Sequence, residues 1–378
     1  MRIAVNTRFL LKGNLEGIGR YTWEVTRRMV LAHPEDQFFF FFDRPYDTSF
    51  IIAPNITPVV LFPPARHPLL FIWWFEWAVA NALKRYRIEV FLSPDNFMSL
   101  RTQTPSVLVV HDLAYLHYPQ HVGSSGRAYY RFFMPRFIHK AKHIIAVSEY
   151  TRLDILRFFK KKEEADISVA YNGCRETFVP LDKNEIQEIR DRVATGKPYF
   201  LYTGAIHPRK NIDRLITAFD LFKKNTGSDF QLILAGRFAW QTGSVKEAYD
   251  HAEYREEIRF LGYVPDEELP RLTASAFALV NISLFEGFGV PVLEALNCDV
   301  PVLVSDCSSL PEVAGAAGLQ VDPTSIAAIA AAMERLGKDE LFRTQLISAG
   351  KIQRRQFNWE ETAKKVYQIL EHTSTIAI

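Results

Sequence analysis

The sequence predicts an α/β protein built as two doubly wound domains, each with a parallel sheet covered on both faces. Three observations predict it. Short β-branched or aromatic runs alternate with longer amphipathic stretches. The runs are apolar throughout rather than alternating, as strands buried on both faces require. The alternation breaks once, near residues 179–197, and then resumes. Strand, helix, strand in sequence gives a right-handed crossover and a parallel sheet.

In the first half, residues 3–5, 38–42, 90–92, 107–110 and 144–147 read as strands. Stretches such as 21–31 and 73–86 read as the helices between them. The five-Phe run at 38–42 reads as a central strand. The break at 179–197 opens near a Pro, continues as a charged helix poor in aromatics, and ends in ATGKP, which suits an inter-domain connection. Strands then follow at 199–203, 231–235, 258–260, 278–281, 300–304 and 318–321. Helices at 211–224, 291–296 and 325–336 lie among them. The expected domains are 1–180 and 181–357, both Rossmann-like, with a cleft between them where such folds bind ligands. A last helix, within 358–378, is expected to pack back on the first domain.

Composition narrows the function. At 48% apolar and 23% charged, the 378-residue chain has ample material for cores, which excludes disorder over most of its length. Three scattered cysteines, Cys174, Cys298 and Cys307, are too few for a disulfide framework or a zinc site and fit a reducing compartment. The most apolar stretch, LLFIWWFEWAVA at 69–80, falls short of the ~20 residues needed to span a membrane and contains Glu76. A cytoplasmic location is therefore expected, with a peripheral seat on the inner membrane face as its extension. The net charge of +2 hides an asymmetry: residues 1–180 carry 23 Lys and Arg against 16 Asp and Glu, whereas 181–378 carry 22 against 27. A basic first half could face an anionic surface or substrate, or be ordinary surface composition.

Four segments carry chemistry. Glu16-Gly17-Ile18-Gly19-Arg20-Tyr21 follows the first strand and opens a helix. Its glycines either let backbone approach a ligand anion or simply turn the loop. The third glycine of a dinucleotide fingerprint would fall at Thr22, so it is not that motif. His111, in Val109-Val110-His111-Asp112, stands at the carboxyl end of a strand. It either points into the cleft or makes a structural hydrogen bond. Thr203-Gly204-Ala205-Ile206-His207-Pro208-Arg209-Lys210-Asn211 follows the first strand of the second domain. Two adjacent cations at a helix start suit a diphosphate, or form a solvated turn. Last comes Glu286-Gly287-Phe288-Gly289-Val290-Pro291-Val292-Leu293-Glu294. Pro291 fits a first helical turn. Carboxylates accept from sugar hydroxyls, and backbone N–H groups at the helix start donate to anions or hydroxyl oxygens. That combination suits a ligand that is part sugar and part phosphate.

Together these segments resemble the family 4 retaining glycosyltransferases, which have the GT-B fold, and among them the mannosyltransferase-like group 1 members. SLFEGFGVPVLEAL is similar to the family's two-glutamate motif, with seven residues between the acids. IRFLGYVPDEELPRLTASAFALV before it and PVLVSDCSSLPEVAGAAGLQVDP after it match the usual context. VVHDLAYLHYP, HIIAVSEYTRLDIL and YNGC resemble the acceptor-domain signatures, GAIHPRKNIDRLITAFDLF the phosphate-binding segment and FNWEETAKKVYQIL the closing helix. The resemblance covers nearly the whole chain.

It implies an acceptor domain at 1–180 and a donor domain at 181–357. Lys210, with Arg209 beside it, would hold the donor diphosphate, and Glu294 the nucleotide ribose. Glu286 and the backbone of Phe288 and Gly289, with Gly204 and Val290 alongside, would meet the donor. His111 would sit at the reaction centre, and Gly17 and Gly19 would form the loop over the donor phosphates. Many members place an Arg where this chain has Ala205, so Arg209 is expected to supply that charge. Two further departures are Ile282-Ser283 for Pro-Ser and Asp299 for Gly. The chemistry implied is front-face displacement with retention, independent of metal, with a nucleotide-diphosphate sugar as co-substrate and no other cofactor. GDP-mannose is the first expectation, ahead of UDP-sugars. The acceptor would be a saccharide or lipid-linked saccharide docking on the basic first domain, not a nucleic acid. Trp73, Trp74 and Trp77 would either meet a membrane or, as the favoured expectation, form a packed helix face. The alternatives are a nucleotide-sugar epimerase of the same fold and a non-catalytic relative that binds a glycan or protein. A nicotinamide oxidoreductase would need the glycine fingerprint that is missing.

Overall fold

The computed structural model describes the whole chain except Asn14, Lys161, Trp240, Gln241, residues 376–378 and the side chain of Pro68. It divides into two compact units, one of residues Met1–Asn172 with Asn358–Ile378 and the other Gly173–Phe357. Each holds one parallel sheet. In the first unit, β1 (Arg2–Asn6), β2 (Gln37–Phe42), β3 (Ile56–Val60), β4 (Val90–Ser93), β5 (Ser106–Val110), β6 (His143–Ala146) and β7 (Ile167–Val169) lie in the order β3-β2-β1-β4-β5-β6-β7. In the second, β8 (Tyr199–Thr203), β9 (Gln231–Ala235), β10 (Ile258–Gly262), β11 (Ala278–Asn281), β12 (Val302–Ser305) and β13 (Gly318–Val321) lie in the order β10-β9-β8-β11-β12-β13.

Both orders reverse beside the first strand, between β1 and β4 and again between β8 and β11. That reversal sends the loops after the two strands in opposite directions. It leaves a crevice outside their carboxyl ends, where doubly wound folds bind ligands. The two-sheet α/β architecture is the one expected from the sequence.

The Phe run is a buried strand, with Phe38, Phe40, Phe41 and Phe42 at or below 2% exposure. Register pairs Ile3 with Phe38 on one side and with Val90 on the other, which makes β1 central. Two strands carry no clear apolar run. β3 contains Pro58 and exposes Thr57 and Val60 in part, and β7 is three residues long; both lie at sheet edges, where such sequences are tolerated.

Residues 173–180, assigned above to the first domain, lie with the second unit. The charged connection is the helix Lys183–Ala194, started by a capping box between Asp182 and Glu185 and ended by Thr195 in the left-handed region. The helix Trp359–Thr375 packs on the helix Gly17–Ala32 in the first unit. Trp359, Val366 and Leu370 are buried there, Thr362 Oγ1 donates to the Tyr171 carbonyl and the Tyr367 hydroxyl to Asp36.

The tryptophan stripe does not pack as one face. The helix runs as Pro68–Trp73, a wider turn at Trp74–Val79, and Ala80–Arg85. The wide turn shifts the register of side chains around the axis. Trp74 is buried and its Nε1 donates to the Leu61 carbonyl at 3.1 Å, while Trp73 and Trp77 stack on each other about two-fifths exposed. Among the described residues, no helix is long and apolar enough to cross a membrane.

Candidate active site

In the second unit, the chain leaves β8 at Gly204, whose φ of +134° favours glycine. Gly204 N donates to the Ala235 carbonyl at 2.9 Å. A Cβ on Gly236 would stand 1.7 Å from the Gly204 carbonyl oxygen, so the ends of β8 and β9 touch backbone to backbone. The turn then makes one helical turn, Pro208–Lys210, with His207 capping it through Nδ1. Asn211, in the left-handed region, ends that turn and bonds the Ile282 and Pro323 carbonyls through Nδ2. The Leu284 N–H bonds the Arg209 carbonyl. The loops after β8 and β11 are thereby tied together.

These ties bring Arg209, Lys210 and Glu286 to one place. Lys210 Nζ pairs with Glu286 Oε1. Arg209 Nη1 donates to the Phe285 carbonyl at 2.5 Å and lies 3.6 Å from Glu286 Oε2. Ser283 Oγ donates to Glu286 Oε1 at 2.8 Å. Glu286 is 7% exposed. Burial alone would raise its carboxyl, but the charges of Lys210 and Arg209, with hydrogen bonds from Lys210 and Ser283, hold it below the ordinary value. A depressed folded value gives stability that is whole above the ordinary pKa of 4.5 and lost as pH falls through the folded value. Urea midpoints of wild type and Glu286→Gln, compared from about pH 7 down to about pH 3, check this. The wild type should lose the larger share of its stability in the acid limb, and parallel curves would contradict the assignment.

Glu286 is followed by a glycine turn into the helix Val290–Asn297. Gly289, with φ of +104°, precedes that helix, and a Cβ there would meet Leu310 Cδ2 at 2.7 Å. Pro291 stands in the first turn, where it has no N–H to leave unpaired. The Phe288 ring is buried edge-on against Phe357, which leaves its backbone as the part that borders the turn. Ser309 Oγ bonds the carbonyls of Glu286 and Phe288, and Ser308 Oγ accepts from Glu286 N. Glu294, 7% exposed, lies one turn into the helix, with Arg175 Nη2 at 3.5 Å. Arg175 also reaches Asp266. Ala205, where the resemblance leads one to look for Arg, is exposed, and Arg209 is the guanidinium nearest Glu286.

Arg175, Ser283, Ser308 and Ser309 were not among the sequence candidates. The signal for Ser308 and Ser309 lay in the segment after the motif helix. For Arg175 it lay in the residue following YNGC.

In the first unit, His111 follows β5. Its N–H bonds Asn96 Oδ1 at 2.8 Å, and its Nε2 lies 2.8 Å from the Pro94 carbonyl. A carbonyl accepts only, so Nε2 carries the proton and Nδ1 presents a lone pair. Burial lowers the imidazole pKa, against smaller opposing effects from the Pro94 carbonyl, Asp112 and Asp95, so the ring is neutral at neutral pH. The buried ring of Tyr21 meets it edge-on at 5.2 Å. Gly19 lies in the first turn of the helix Gly17–Ala32, and a Cβ there would come 2.5 Å from the Phe9 carbonyl oxygen. Gly17 has nothing within 4 Å of such an atom. Gly19 is thus required by packing, and Gly17 borders open space.

Comparison with known proteins follows the same division. The family of Glycosyl transferases group 1 matches residues 183–353, and Glycosyltransferase Family 4 matches 15–177. O-antigen chain mannosyltransferase B of Escherichia coli is 31% identical over 366 residues, 93% of this chain and 94% of that one. O-antigen chain mannosyltransferase RfbU of Salmonella typhimurium is 28% identical over 275 residues, 72% of each chain. Among solved structures, sucrose-phosphate synthase from Thermosynechococcus elongatus matches with a TM-score of 0.76 at 19% identity, covering 98% of each chain. HepE of Anabaena, solved with UDP and glucose, matches at 0.76 and 16% identity, covering 98% of this chain and all of that one. These structures establish the GT-B fold, and with the sequence relatives they lead to one conclusion: the chain belongs to the group 1, family 4 glycosyltransferases.

Proposed function

We propose that this protein moves a hexose, mannose in the first instance, from a nucleotide-diphosphate sugar to a saccharide or lipid-linked saccharide during assembly of a cell-surface polysaccharide. The observation that carries the reading is the convergence of Lys210 and Arg209 on the buried Glu286, beside a glycine-capped helix start at the β8/β11 reversal. Two cations and backbone donors suit a diphosphate, and the carboxylates suit hydroxyls. The relatives named as O-antigen mannosyltransferases support mannose and a polysaccharide product. GDP-mannose is accordingly the donor proposed.

In the proposed reaction the bond from the sugar's anomeric carbon to the diphosphate oxygen breaks, and one from that carbon to an acceptor hydroxyl oxygen forms on the same face. The acceptor's proton passes to the departing diphosphate, and configuration is retained. Lys210 and Arg209 stabilise the charge that grows on the diphosphate, a contribution that needs no metal ion in this reading. Glu286 hydrogen-bonds the donor sugar and Glu294 the ribose, with the Arg175 guanidinium beside Glu294. His111, neutral and with Nδ1 as acceptor, can take a hydroxyl proton in a hydrogen bond but cannot supply a positive charge. The exposed Trp73 and Trp77, with the Arg101 guanidinium carbon 4.9 Å from the Trp77 ring centre, support a seat for the lipid part of an acceptor.

A thermal-shift panel of GDP, UDP, ADP, dTDP and their sugars tests the reading. A ligand at 100 times its Kd adds ~2.7 kcal/mol to the stability of the state it binds. One nucleotide, GDP on this reading, should raise the Tm of wild type and not that of Glu294→Ala. Stabilisation by none of them would remove the donor assignment.

A further inference from the structure

The β1/β4 reversal of the first unit holds a charged group that neither the donor site nor the mechanism uses. Arg8 follows β1 by two residues, and Asp95 follows β4 by two. Arg8 Nε donates to Asp95 Oδ2 at 2.5 Å. Asp95, 1% exposed, also accepts from Asn6 Nδ2 at 2.8 Å and from the Phe97 N–H at 3.2 Å. The carboxylate is thus fully engaged and fixes the guanidinium by one nitrogen. The other two, Nη1 and Nη2, have no hydrogen-bond partner among the described residues, although the side chain is only 10% exposed. Its guanidinium carbon lies 4.4 Å from the ring centre of Phe9, 4.7 Å from that of Phe71 and 5.5 Å from that of Phe97. Apolar rings cannot satisfy four N–H bonds. A planar fork held in place, walled by aromatics and left with open donors is the arrangement that proteins use to read a ligand.

The surrounding charge decides which ligand. Asp95, Asp112 and Glu76 act electrostatically on Tyr129 or Tyr130 alongside Arg8, so one guanidinium stands among three carboxylates. Asp112 and Glu76 are tied to backbone N–H groups, at Ala114 and at Leu100 and Arg101. A phosphate or carboxylate entering there would meet net repulsion. A neutral sugar would not: its hydroxyl oxygens accept from the guanidinium, its hydroxyl protons reach carboxylate oxygens, and its C–H face lies on an aromatic ring. Burial raises the Tyr129 phenol, with Asp95, Tyr130 and Glu76 adding to it against Arg8, so it keeps its proton and can donate as well.

We propose that Arg8 reads the neutral terminal sugar of the acceptor, donating from Nη1 and Nη2 to its ring hydroxyls at the β1/β4 reversal. This rests on the transferase reading above, which it extends by naming the acceptor's chemical class and a residue that selects it. Asp95 is the positioning residue that aims the fork.

The test is saturation-transfer NMR on the full chain with the methyl α-glycosides of mannose, glucose and galactose, and with methyl α-glucuronide as the anionic probe. Wild type should give signal with at least one neutral glycoside and none with the glucuronide. Arg8→Lys keeps the charge but loses the fork. It should cut the neutral signal at least fivefold while Tm and nucleotide Kd stay within error of wild type. Should Arg8→Lys fail to fold, the pair Arg8→Met with Asp95→Asn, which leaves no buried charge unpaired, takes its place with the same expected loss. Undiminished signal in a folded variant overturns the proposal, as does silence from every neutral glycoside or a glucuronide signal as strong as theirs. Absence of any nucleotide binding by wild type would instead sink the transferase reading, leaving the glycoside result to stand or fall by itself.

Discussion

Replacing Lys210 by Ala should lower turnover by about 100–1,000-fold, the usual loss when one group that stabilises a developing oxyanion is removed. The ammonium is the compact point charge of the site, and it is paired with Glu286. The variant should remain folded. Glu286 keeps the Ser283 hydroxyl and the Arg209 guanidinium, so its carboxylate is not stranded. Acceptor-dependent release of free nucleotide measures the rate, and circular dichroism on heating checks the fold. Nucleotide titration of Lys210→Ala separates two roles. If Lys210 only neutralised Glu286, the nucleotide Kd would stay at the wild-type value. If it holds the diphosphate, Kd rises together with the loss of turnover. Unfolding of Lys210→Ala alone would make the lysine structural and remove it from the mechanism.

Gly236→Ala should lower the Tm of the second unit and weaken nucleotide binding with it. The added methyl would fall 1.7 Å from the Gly204 carbonyl oxygen and 2.6 Å from its carbon, both backbone atoms that no rotamer change can move aside. β8 and β9 must separate at their carboxyl ends, or the turn 204–211 must shift. Overpacking of this kind typically costs about 1–3 kcal/mol. At about 2–4 °C per kcal/mol for a unit of this size, Tm falls by about 2–12 °C. The same shift moves Arg209 and Lys210, because their turn begins at Gly204 and is bonded to Ala235 there. Calorimetry and nucleotide titration check the two effects together. An unchanged Tm would mean that the strand ends are looser than their backbone contact implies.

Legibility in the sequence followed burial on both faces. The Phe run, 107–110 and 231–235 were readable as strands because a central parallel strand meets apolar neighbours above and below. β3 and β7 were not, because an edge strand has a solvent side and tolerates Pro58 or a three-residue length. In the candidate active site, the glutamates and the Arg209–Lys210 pair were visible as local clusters, but their convergence was not. Lys210 and Glu286 are 76 residues apart, and the Asn211 bonds to Ile282 and Pro323 that align their loops follow no spacing rule. Arg8 was overlooked for the same reason. In MRIAVNTRFL it is the second of two arginines, and only the sheet order sets it against Asp95. The tryptophans show the opposite case, since a wide turn within the helix cancels the regular period on which a stripe argument depends.

The return of the helix Trp359–Thr375 to the first unit has a consequence for biosynthesis. Chain passes between the units twice, at 172–173 and at 357–358. A ribosome that has finished Asn172 has therefore not finished the first unit. Tyr21 still lacks Trp359 against its ring at 5.8 Å, Asp36 lacks the Tyr367 hydroxyl, and the face of the helix Gly17–Ala32 that meets Trp359–Thr375 stays uncovered. The second unit, contiguous from Gly173 to Phe357, can close on itself as soon as it emerges. The order of synthesis and the order of completion are thus reversed: the unit made first waits about 190 residues of translation for its last helix. Newly made chains should be most vulnerable to proteolysis in the half that has been outside the ribosome longest.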